Sequence, residues 1–232
     1  MQCVILAAGK GSRMMPLTAH TPKPLIVVCG KPILDHILEA LPKVITEIIL
    51  VTNYLEEQIK ERYGTMWNGK DIKYVTQINP AGGTGDALLC AKELITDRFL
   101  VLNGDDIHGA AVLEQSVVEG NSLLVVNLDT PELFGVVETN QAGYVKKIVE
   151  KPASPISNLV NTGGFVADKN LFNYVVEISD MGELYATDML TAFAQDHAVK
   201  VIEQTLWVPI GSPQQLQEAE VTLCGGGVDS AG

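Results

Sequence analysis

Short apolar runs alternate with helix-like segments through the first half of the chain. Each predicted strand is a run rich in Val, Ile and Leu, and these runs cover residues 4–8, 47–52, 72–76 and 99–102. Between them, apolar residues at helical spacing, or a polar stretch followed by a helix-ending glycine, predict helices at residues 32–41, 54–63 and 85–94. This alternation predicts a parallel sheet with helices on both faces and right-handed crossovers.

The second half of the chain changes to strands joined by turns. Strands are predicted at residues 122–128, 135–138, 144–150 and 159–166, with a hairpin-like break at residues 141–143. Helices at residues 171–178 and 187–196, a strand at 199–202 and a last helix at 213–222 follow. We therefore expect a doubly wound α/β fold with a mostly parallel mixed sheet over residues 1–222. The glycine-rich tail, residues 223–232, is expected to be disordered.

The charge balance excludes some classes of function. A formal net charge of −12 over 232 residues argues against a nucleic-acid binder, which needs a basic face. No apolar run reaches the about 18 residues of a membrane span, and the N-terminal apolar stretch is short and lacks a basic leader. We therefore expect no membrane segment and interpret this stretch as the first buried strand.

The four cysteines, Cys3, Cys29, Cys90 and Cys224, are far apart and form no Cys-x-x-Cys pair. This spacing argues against a zinc site and favours reduced thiols in a cytoplasmic protein. The four histidines are scattered along the chain and predict no catalytic set.

A candidate phosphate loop follows the first strand. A dinucleotide fingerprint would need a third glycine where Met14 stands, and no Gly-Lys-Ser/Thr follows at the spacing of a P-loop. Arg13 and Lys23, ten residues apart, instead offer two cations for a developing negative charge. The strand end and small residues whose backbone would surround a polyphosphate at this sheet edge are Leu6, Ala8, Gly9, Gly11 and Ser12.

Two longer strings make this loop specific. Residues 9–18 read Gly-x-Gly-Ser-Arg-Met-x-Pro-Leu-Thr, and residues 21–25 read Thr-Pro-Lys-Pro-Leu. Together they resemble the signature of the sugar-phosphate nucleotidylyltransferases, which make nucleoside-diphosphate sugars. The resemblance implies a Rossmann-like nucleotidyltransferase fold whose glycine loop holds the nucleotide phosphates. It also implies that Arg13 binds the β- and γ-phosphates and that Lys23 binds the reacting phosphates.

Two later segments extend the resemblance on the nucleotide side. Gln77, with Gly82, Gly83 and Thr84 near the start of a helix, resembles the family's base-binding loop and favours uracil or thymine. Asp105 follows the apolar fourth strand in Asn-Gly-Asp, where a carboxylate is well placed to hold Mg²⁺ between phosphates, as the family uses it. The aspartate after it is expected to point the other way along the strand.

Two further segments resemble the family's sugar-phosphate side. Gly135 in Phe-Gly-Val-Val-Glu, Glu150 in Glu-Lys-Pro and Asn161 in Asn-Thr-Gly imply contacts with the sugar, and Lys151 implies a contact with its phosphate. One departure stands out, because Pro209 occupies the position of the family's second metal-binding aspartate. Proline has no side-chain ligand. Either phosphate oxygens and water complete the metal shell around Asp105, or another carboxylate takes this place, or activity is reduced.

The resemblance implies an enzyme with two small-molecule substrates. It would transfer a nucleoside monophosphate, UMP or dTMP, from a nucleoside triphosphate to a hexose-1-phosphate and release pyrophosphate. Arg13, Lys23 and Asp105 are the expected catalytic residues, with Mg²⁺ as cofactor. Residues 1–120 are expected to form the nucleotide-binding half and residues 121–222 the sugar-phosphate-binding half.

Other functions stay open at this point. Cytidylyl- and guanylyltransferases that act on other phosphate acceptors share the glycine loop. Pro209 also leaves open a catalytically degenerate domain that binds sugar nucleotides, although a mere binder has less need for a lysine at each reacting phosphate. The sequence does not choose an oligomeric state, and a homo-oligomer stays open.

Overall fold

The structure is a computed structural model that describes residues 1–174, 176–179 and 182–225. Its strands are β1 (Gln2–Leu6), β2 (Val27–Val28), β3 (Lys31–Pro32), β4 (Glu47–Thr52), β5 (Met66–Trp67), β6 (Lys70–Thr76), β7 (Phe99–Asn103), β8 (Asp106–His108), β9 (Ser122–Asn127), β10 (Gly135–Thr139), β11 (Val145–Glu150), β12 (Leu159–Ala167), β13 (Lys200–Glu203) and β14 (Trp207–Pro209). Its α-helices are α1 (Ile33–Ala40), α2 (Glu56–Tyr63), α3 (Gly83–Cys90), α4 (Ala110–Glu119), α5 (Ala186–Phe193) and α6 (Pro213–Gly225). Within these residues no helix is both long and apolar enough to cross a membrane.

Ten strands form one mixed sheet with β1 in its interior. The strand order is β11-β10-β12-β7-β1-β4-β6-β5, and β9 pairs with both β12 and β13. Strands β7, β1, β4 and β6 are parallel, whereas β10, β11 and β12 pair antiparallel. Leu6 at the end of β1 lies opposite Val51 of β4 and Asn103 of β7, so the carboxyl ends of these strands share one edge. Open α/β sheets bind ligands at such an edge.

Helices cover both faces of this sheet. Cys3 and Ile5 of β1 lie in one core with residues of α1, α2, α4 and α6, and Val4 between them lies in the other core with residues of α3 and α5. Successive strand residues point to opposite faces, so a strand covered on both sides is apolar throughout. The predicted doubly wound α/β fold with a mixed sheet is confirmed.

The helix predicted at residues 171–178 is wrong. The chain forms one 3-10 turn over Lys169–Asn173, and the described residues that follow it up to 179 are not helical. Residue 175, inside the predicted helix, lies outside the described residues. Leu171 and Phe172 are buried by the short turn, which already satisfies the apolar pattern that suggested a helix.

The sequence pattern did not reveal α4 or the small sheet formed by β8 and β14. These two strands have three residues each and pair antiparallel, with Pro209 opposite Asp106. Strands this short carry no readable alternation, and their partners are about a hundred positions apart in sequence. The tertiary fold alone therefore brings them together.

The last helix is longer than predicted and carries a disulfide. α6 extends to Gly225, so residues 223–225 are helical, and the rest of the predicted tail, residues 226–232, lies outside the described residues. Cys224 near the end of α6 is bonded to Cys29 in the turn between β2 and β3, with Cα atoms 5.7 Å apart. The prediction of reduced thiols is therefore wrong for this pair, whose members are 195 residues apart in sequence.

The other two cysteines are free thiols, as expected. Cys3 is fully buried in β1, and burial raises the pKa of its thiol far above the ordinary value. Because the thiolate is the reactive form, Cys3 is expected to be inert.

Removing the disulfide is expected to destabilise the fold. The Cys29→Ser/Cys224→Ser variant loses a crosslink over 195 residues, and its free energy of unfolding should fall by about 2–5 kcal/mol. Urea unfolding of the oxidised proteins measures this difference, with Cys90→Ser at a free thiol as the control. Equal unfolding midpoints for wild-type protein with and without dithiothreitol would contradict a stabilising bridge.

Candidate active site

The loop after β1 folds back on itself at the carboxyl edge of the sheet. Gly11 has a φ of +66°, and a Cβ there would lie 3.0 Å from Thr18 Cγ2. The Gly11 carbonyl accepts hydrogen bonds from the Met14 amide and from the Thr18 hydroxyl, both at 2.8 Å. Glycine is thus required at position 11 by both the backbone conformation and the available space.

A cavity of about 460 Å³ opens beside this loop. It also borders the end of β6, the start of α3 and the end of β7. Of the residues predicted to bind the nucleotide, only Gly82 does not line it. The other predicted nucleotide-binding residues all line this cavity, namely Leu6, Ala8, Gly9, Gly11, Ser12, Arg13, Lys23, Gln77, Gly83 and Thr84.

A second cavity of about 380 Å³ adjoins the first. Arg13 and Asp105 line both cavities. Leu6 and Thr84 also line both, so the two sets of predicted residues, which come from different halves of the chain, meet along a shared boundary that includes these two charged side chains. The residues predicted for the sugar phosphate all line the second cavity, namely Gly135, Glu150, Lys151 and Asn161.

An ion pair between Lys23 and Asp105 joins the phosphate loop to the end of β7. Lys23 is 8% exposed, whereas 34% of the Asp105 side chain is exposed. A buried ammonium group needs an anionic partner, because leaving it unpaired is strongly destabilising. The Gly104 amide donates to the Leu6 carbonyl at 2.9 Å and holds the residue before Asp105 against β1. A ligand bound in the first cavity would therefore lie beside both the Lys23 ammonium and the Asp105 carboxylate.

Asp106 lies in a different environment from Asp105. Its carboxyl oxygens accept hydrogen bonds from the side-chain Nδ2 of Asn103 at 2.9 Å and from the Trp207 indole N–H at 3.1 Å. Burial, and after it the negative charge of Asp105, raises the pKa of Asp106 to about 8. Asp106 thus ties β8 to the ends of β7 and β14 and lines the second cavity, whereas Asp105 lines both cavities.

The segment before α5 packs directly on the glycines at the start of α3. The Leu184 amide donates to the Gly82 carbonyl at 2.8 Å, and the Leu184 carbonyl accepts from the Gly85 amide at 2.7 Å. Gly83 has a φ of +84°, and a Cβ there would lie 2.6 Å from the Leu184 carbonyl oxygen. These glycines thus make room for the neighbouring segment, and Gly83 also lines the first cavity.

This packing brings two further residues to the site. Glu183 and Tyr185 line both cavities, and neither is among the site residues predicted from the sequence. The Thr84 hydroxyl accepts from the Ala186 amide at 3.0 Å and fixes the start of α5 beside them. The available sequence signal was Gly-Glu with Thr-Asp four positions later, a pattern that is weak on its own.

The sugar-phosphate side combines a partly exposed carboxyl, with 32% of the Glu150 side chain accessible, with an exposed cation. Glu150 lies opposite Gly135 in the β10–β11 pair, and a Cβ at position 135 would lie 3.0 Å from Glu150 Oε2. Burial raises the pKa of Glu150, and the nearby Lys151 ammonium partly offsets this effect. Lys151 follows with a φ of +41°, and 66% of its side chain is exposed. A sugar hydroxyl and a phosphate would thus find an acceptor and a cation on adjacent residues.

The strand ends present few metal ligands. Pro209 lines the second cavity opposite Asp106 and has no side-chain donor. In the described part of the chain, no three Asp, Glu, His or Cys side chains converge around Asp105. The site therefore lacks the full set of protein ligands that a resident metal cage would need.

Comparison with known proteins identifies the family. A family model described as nucleotidyl transferase matches residues 2–225, so the chain belongs to the nucleotidyl transferase family. The bifunctional protein GlmU of Methanocaldococcus jannaschii is 37% identical over 226 residues, which are 96% of this chain and 54% of that protein. The chain thus spans about half the length of this relative. The UTP–glucose-1-phosphate uridylyltransferase AglF of Haloferax volcanii is 32% identical over 235 residues, with 96% of each chain covered.

Solved structures share the fold. A Bacillus anthracis protein designated a glucose-1-phosphate thymidylyltransferase superposes with a TM-score of 0.87 at 28% identity, covering 100% of this chain and 98% of that one. A UDP-glucose pyrophosphorylase in complex with UDP-glucose has a TM-score of 0.83 at 21% identity, covering 97% and 98%. At that identity the second likeness shows the fold alone.

Because Gly83 lies against Leu184, adding a methyl group at position 83 is expected to destabilise the fold. In Gly83→Ala the new Cβ meets a backbone oxygen, and the free energy of unfolding should fall by about 2 kcal/mol more than in Gly143→Ala. Gly143 is the matched control, because it has a φ of +78° and nothing within 4 Å of its Cβ position. Urea unfolding measures both variants, and equal losses would show that the packing contact is unimportant.

Proposed function

We propose that this member of the nucleotidyl transferase family is a sugar-1-phosphate nucleotidylyltransferase. It transfers a nucleoside monophosphate, UMP or dTMP, from a nucleoside triphosphate to a hexose-1-phosphate, and pyrophosphate is released. The observation that carries this proposal is the meeting of two cavities at Arg13 and Asp105. Lys23 lines the first cavity and Lys151 the second, so each reacting phosphate has its own cation.

We assign the triphosphate to the first cavity and the sugar-1-phosphate to the second. Residues 1–120 supply most of the first lining and residues 121–222 most of the second. In this assignment the triphosphate lies on the backbone of Leu6, Ala8, Gly9, Gly11 and Ser12. The base lies beside Gln77, Gly83 and Thr84, whereas Gly82 does not line the first cavity. The sugar hydroxyls are assigned to Gly135, Glu150 and Asn161.

The proposed reaction needs positioning and charge more than proton transfer. An oxygen of the sugar phosphate attacks the α-phosphorus in line, and the bond from that phosphorus to the pyrophosphate oxygen breaks. A phosphate monoester is already an anion at neutral pH, so no general base is required. Arg13 stabilises the departing pyrophosphate, Lys23 the α-phosphate and Lys151 the attacking phosphate.

The residues present fit a magnesium ion that is held largely by phosphates. Mg²⁺ commonly binds through one or two carboxylates together with substrate phosphates and water. Asp105 supplies one such carboxylate at the meeting point of the two cavities, and Asp106 is already bonded to Asn103 and Trp207. When bound, the ion would neutralise part of the charge on the phosphates. Before the phosphates arrive, Lys23 is the cation that accompanies Asp105.

The named relatives favour pyrimidine nucleotides and a glucose-type acceptor. The Haloferax volcanii relative is named a UTP–glucose-1-phosphate uridylyltransferase, and the Bacillus anthracis structure is designated a glucose-1-phosphate thymidylyltransferase. Gln77 is buried at the first cavity and offers an amide to a pyrimidine edge. UTP or dTTP is therefore placed first among triphosphates, and glucose or N-acetylhexosamine 1-phosphate first among acceptors.

A matrix of substrates tests the proposal. Each nucleoside triphosphate is combined with several sugar-1-phosphates and with phosphocholine, and pyrophosphate release is measured. Release with UTP or dTTP and a hexose-1-phosphate is the expected result. Release only with CTP or GTP and another acceptor would replace the proposal, and binding without any release would indicate a degenerate domain.

Replacing Arg13 is expected to lower the reaction rate without affecting folding. In Arg13→Ala the departing pyrophosphate loses a fixed cation, and kcat/KM should fall by about 10²–10³-fold with folding unchanged. Lys10→Ala is the control, because Lys10 belongs to the same loop but lies over the Tyr54 ring at 5.7 Å and lines neither cavity. Pyrophosphate release and circular dichroism measure the outcome. Unchanged turnover in Arg13→Ala would remove this residue from the mechanism.

Replacing Asp105 is expected to raise the magnesium concentration that the reaction needs. In Asp105→Asn the metal loses its charged protein ligand, and the Mg²⁺ concentration for half-maximal rate should rise by about tenfold or more. Asp106→Asn is the matched control, because it removes the neighbouring acidic group, whose oxygens accept from Asn103 and Trp207, and asparagine keeps one of these two acceptors. Magnesium titrations of the initial rate compare the variants. The same half-maximal concentration in wild type and Asp105→Asn would exclude Asp105 as a metal ligand.

A further inference from the structure

Gln77 is held rigidly at the end of β6. The residue is 4% exposed, and its backbone N–H donates to the Thr52 carbonyl at 2.8 Å. Its own carbonyl accepts from the Asn53 side chain at 2.9 Å. The backbone at this position is therefore fixed on both sides, and only the orientation of the side-chain amide remains to be set.

Two acceptors set that orientation. Gln77 Nε2 donates to Asp86 Oδ2 at 2.8 Å and to the Gly83 carbonyl at 3.2 Å. A carboxylate and a backbone carbonyl can only accept, so a rotated amide would place Oε1 against two oxygens. Both Nε2 hydrogens are thus occupied.

The remaining atom of the amide is available to a ligand. Gln77 Oε1 accepts no hydrogen bond from any residue that the structure describes. It is also not one of the fully buried side-chain atoms that lack a hydrogen-bond partner, so part of its surface is accessible. Because Gln77 lines the first cavity, a base bound there meets a hydrogen-bond acceptor. The side chain therefore presents one chemical character to the base, although glutamine in general offers two.

Asp86 is itself held in place by its surroundings. It lies in the first turn of α3, where the helix dipole favours a negative charge. Its side chain folds back over Gly82, and a Cβ at position 82 would lie 2.5 Å from Asp86 Cγ. This contact gives Gly82 a role although it does not line the cavity: it leaves the space that the Asp86 carboxylate occupies.

We infer that Asp86 is a specificity-determining positioning residue: it locks the Gln77 amide with Oε1 towards the nucleotide, which selects bases that carry a ring N–H. This inference rests on the proposed function and deepens it. Uracil and thymine carry a donor at N3, whereas cytosine at N3 and adenine at N1 carry an acceptor. An acceptor opposed to Gln77 Oε1 leaves two desolvated lone pairs facing each other, which is costly. The site therefore discriminates UTP and dTTP from CTP, which is of nearly the same size.

The test compares UTP with CTP in three proteins. Pyrophosphate release gives kcat/KM for each triphosphate, and calorimetry gives the Kd of UMP and CMP without any turnover. Wild-type protein should prefer the uridine nucleotide by about 10²-fold in kcat/KM. Asp86→Asn should reduce that ratio by about tenfold or more, because an asparagine amide can present a donor and let Gln77 rotate. Glu57→Gln, which removes a first-turn charge from α2 at a side chain that is 84% exposed, should leave the ratio unchanged.

A second variant moves Asp86 without changing any ionisable group. In Gly82→Ala the new methyl displaces the Asp86 carboxylate, and the φ of −75° at this position is one that alanine adopts readily. The same loss of uridine preference is expected. This variant keeps the inference testable if Asp86→Asn does not fold.

The outcomes separate this inference from the proposed function. Equal losses for uridine and cytidine nucleotides in Asp86→Asn or Gly82→Ala, with the ratio unchanged, would show a merely structural role and overturn the inference. A wild-type protein that binds CMP as tightly as UMP would also overturn it. If no triphosphate yields pyrophosphate, the proposed function fails, and the calorimetric ratio still decides the role of Asp86.

Discussion

The parallel pairing of β1 between β4 and β7 is the constraint on which the site depends. It places Leu6 opposite Asn103, so the phosphate loop and the end of β7 leave the sheet at the same edge. The hydrogen bond from Gly104 to Leu6 continues the pairing one residue beyond the strands. Asp105 then emerges beside the loop, where Lys23 neutralises it. An acidic chain with a net charge of −12 thus carries cations where phosphates are proposed to bind.

The second half of the chain completes the site by packing onto this edge. The segment around Leu184 lies on the glycines that begin α3, and it brings Glu183 and Tyr185 to both cavities. Glycine serves at least two purposes there, because Gly83 admits a neighbouring backbone and Gly82 admits the carboxylate that orients Gln77. The proposed recognition of the base and the joining of the two halves therefore use the same short stretch of chain.

Features that depend on local pattern were predictable from the sequence. The apolar run of β4 matched its prediction residue for residue, and the strings around Arg13 and Lys23 indicated the loop that lines the first cavity. Features that depend on distant partners were not. The disulfide joins residues 195 positions apart, and β8 meets β14 through three pairs about a hundred positions apart. The orientation of the Gln77 side chain was not predictable either, because it depends on a hydrogen bond to Asp86 across a turn whose geometry cannot be read from the sequence.

The origin of the bridging oxygen in the product tests the central claim most directly. Wild-type protein is incubated with UTP or dTTP and a hexose-1-phosphate whose phosphate carries ¹⁸O in its non-bridging oxygens, and the products are analysed by mass spectrometry. Attack of the sugar phosphate on the α-phosphorus predicts that the nucleoside-diphosphate sugar retains all of the label and that the pyrophosphate contains none. Label in the pyrophosphate, or pyrophosphate without a nucleoside-diphosphate sugar, would contradict the proposed transfer.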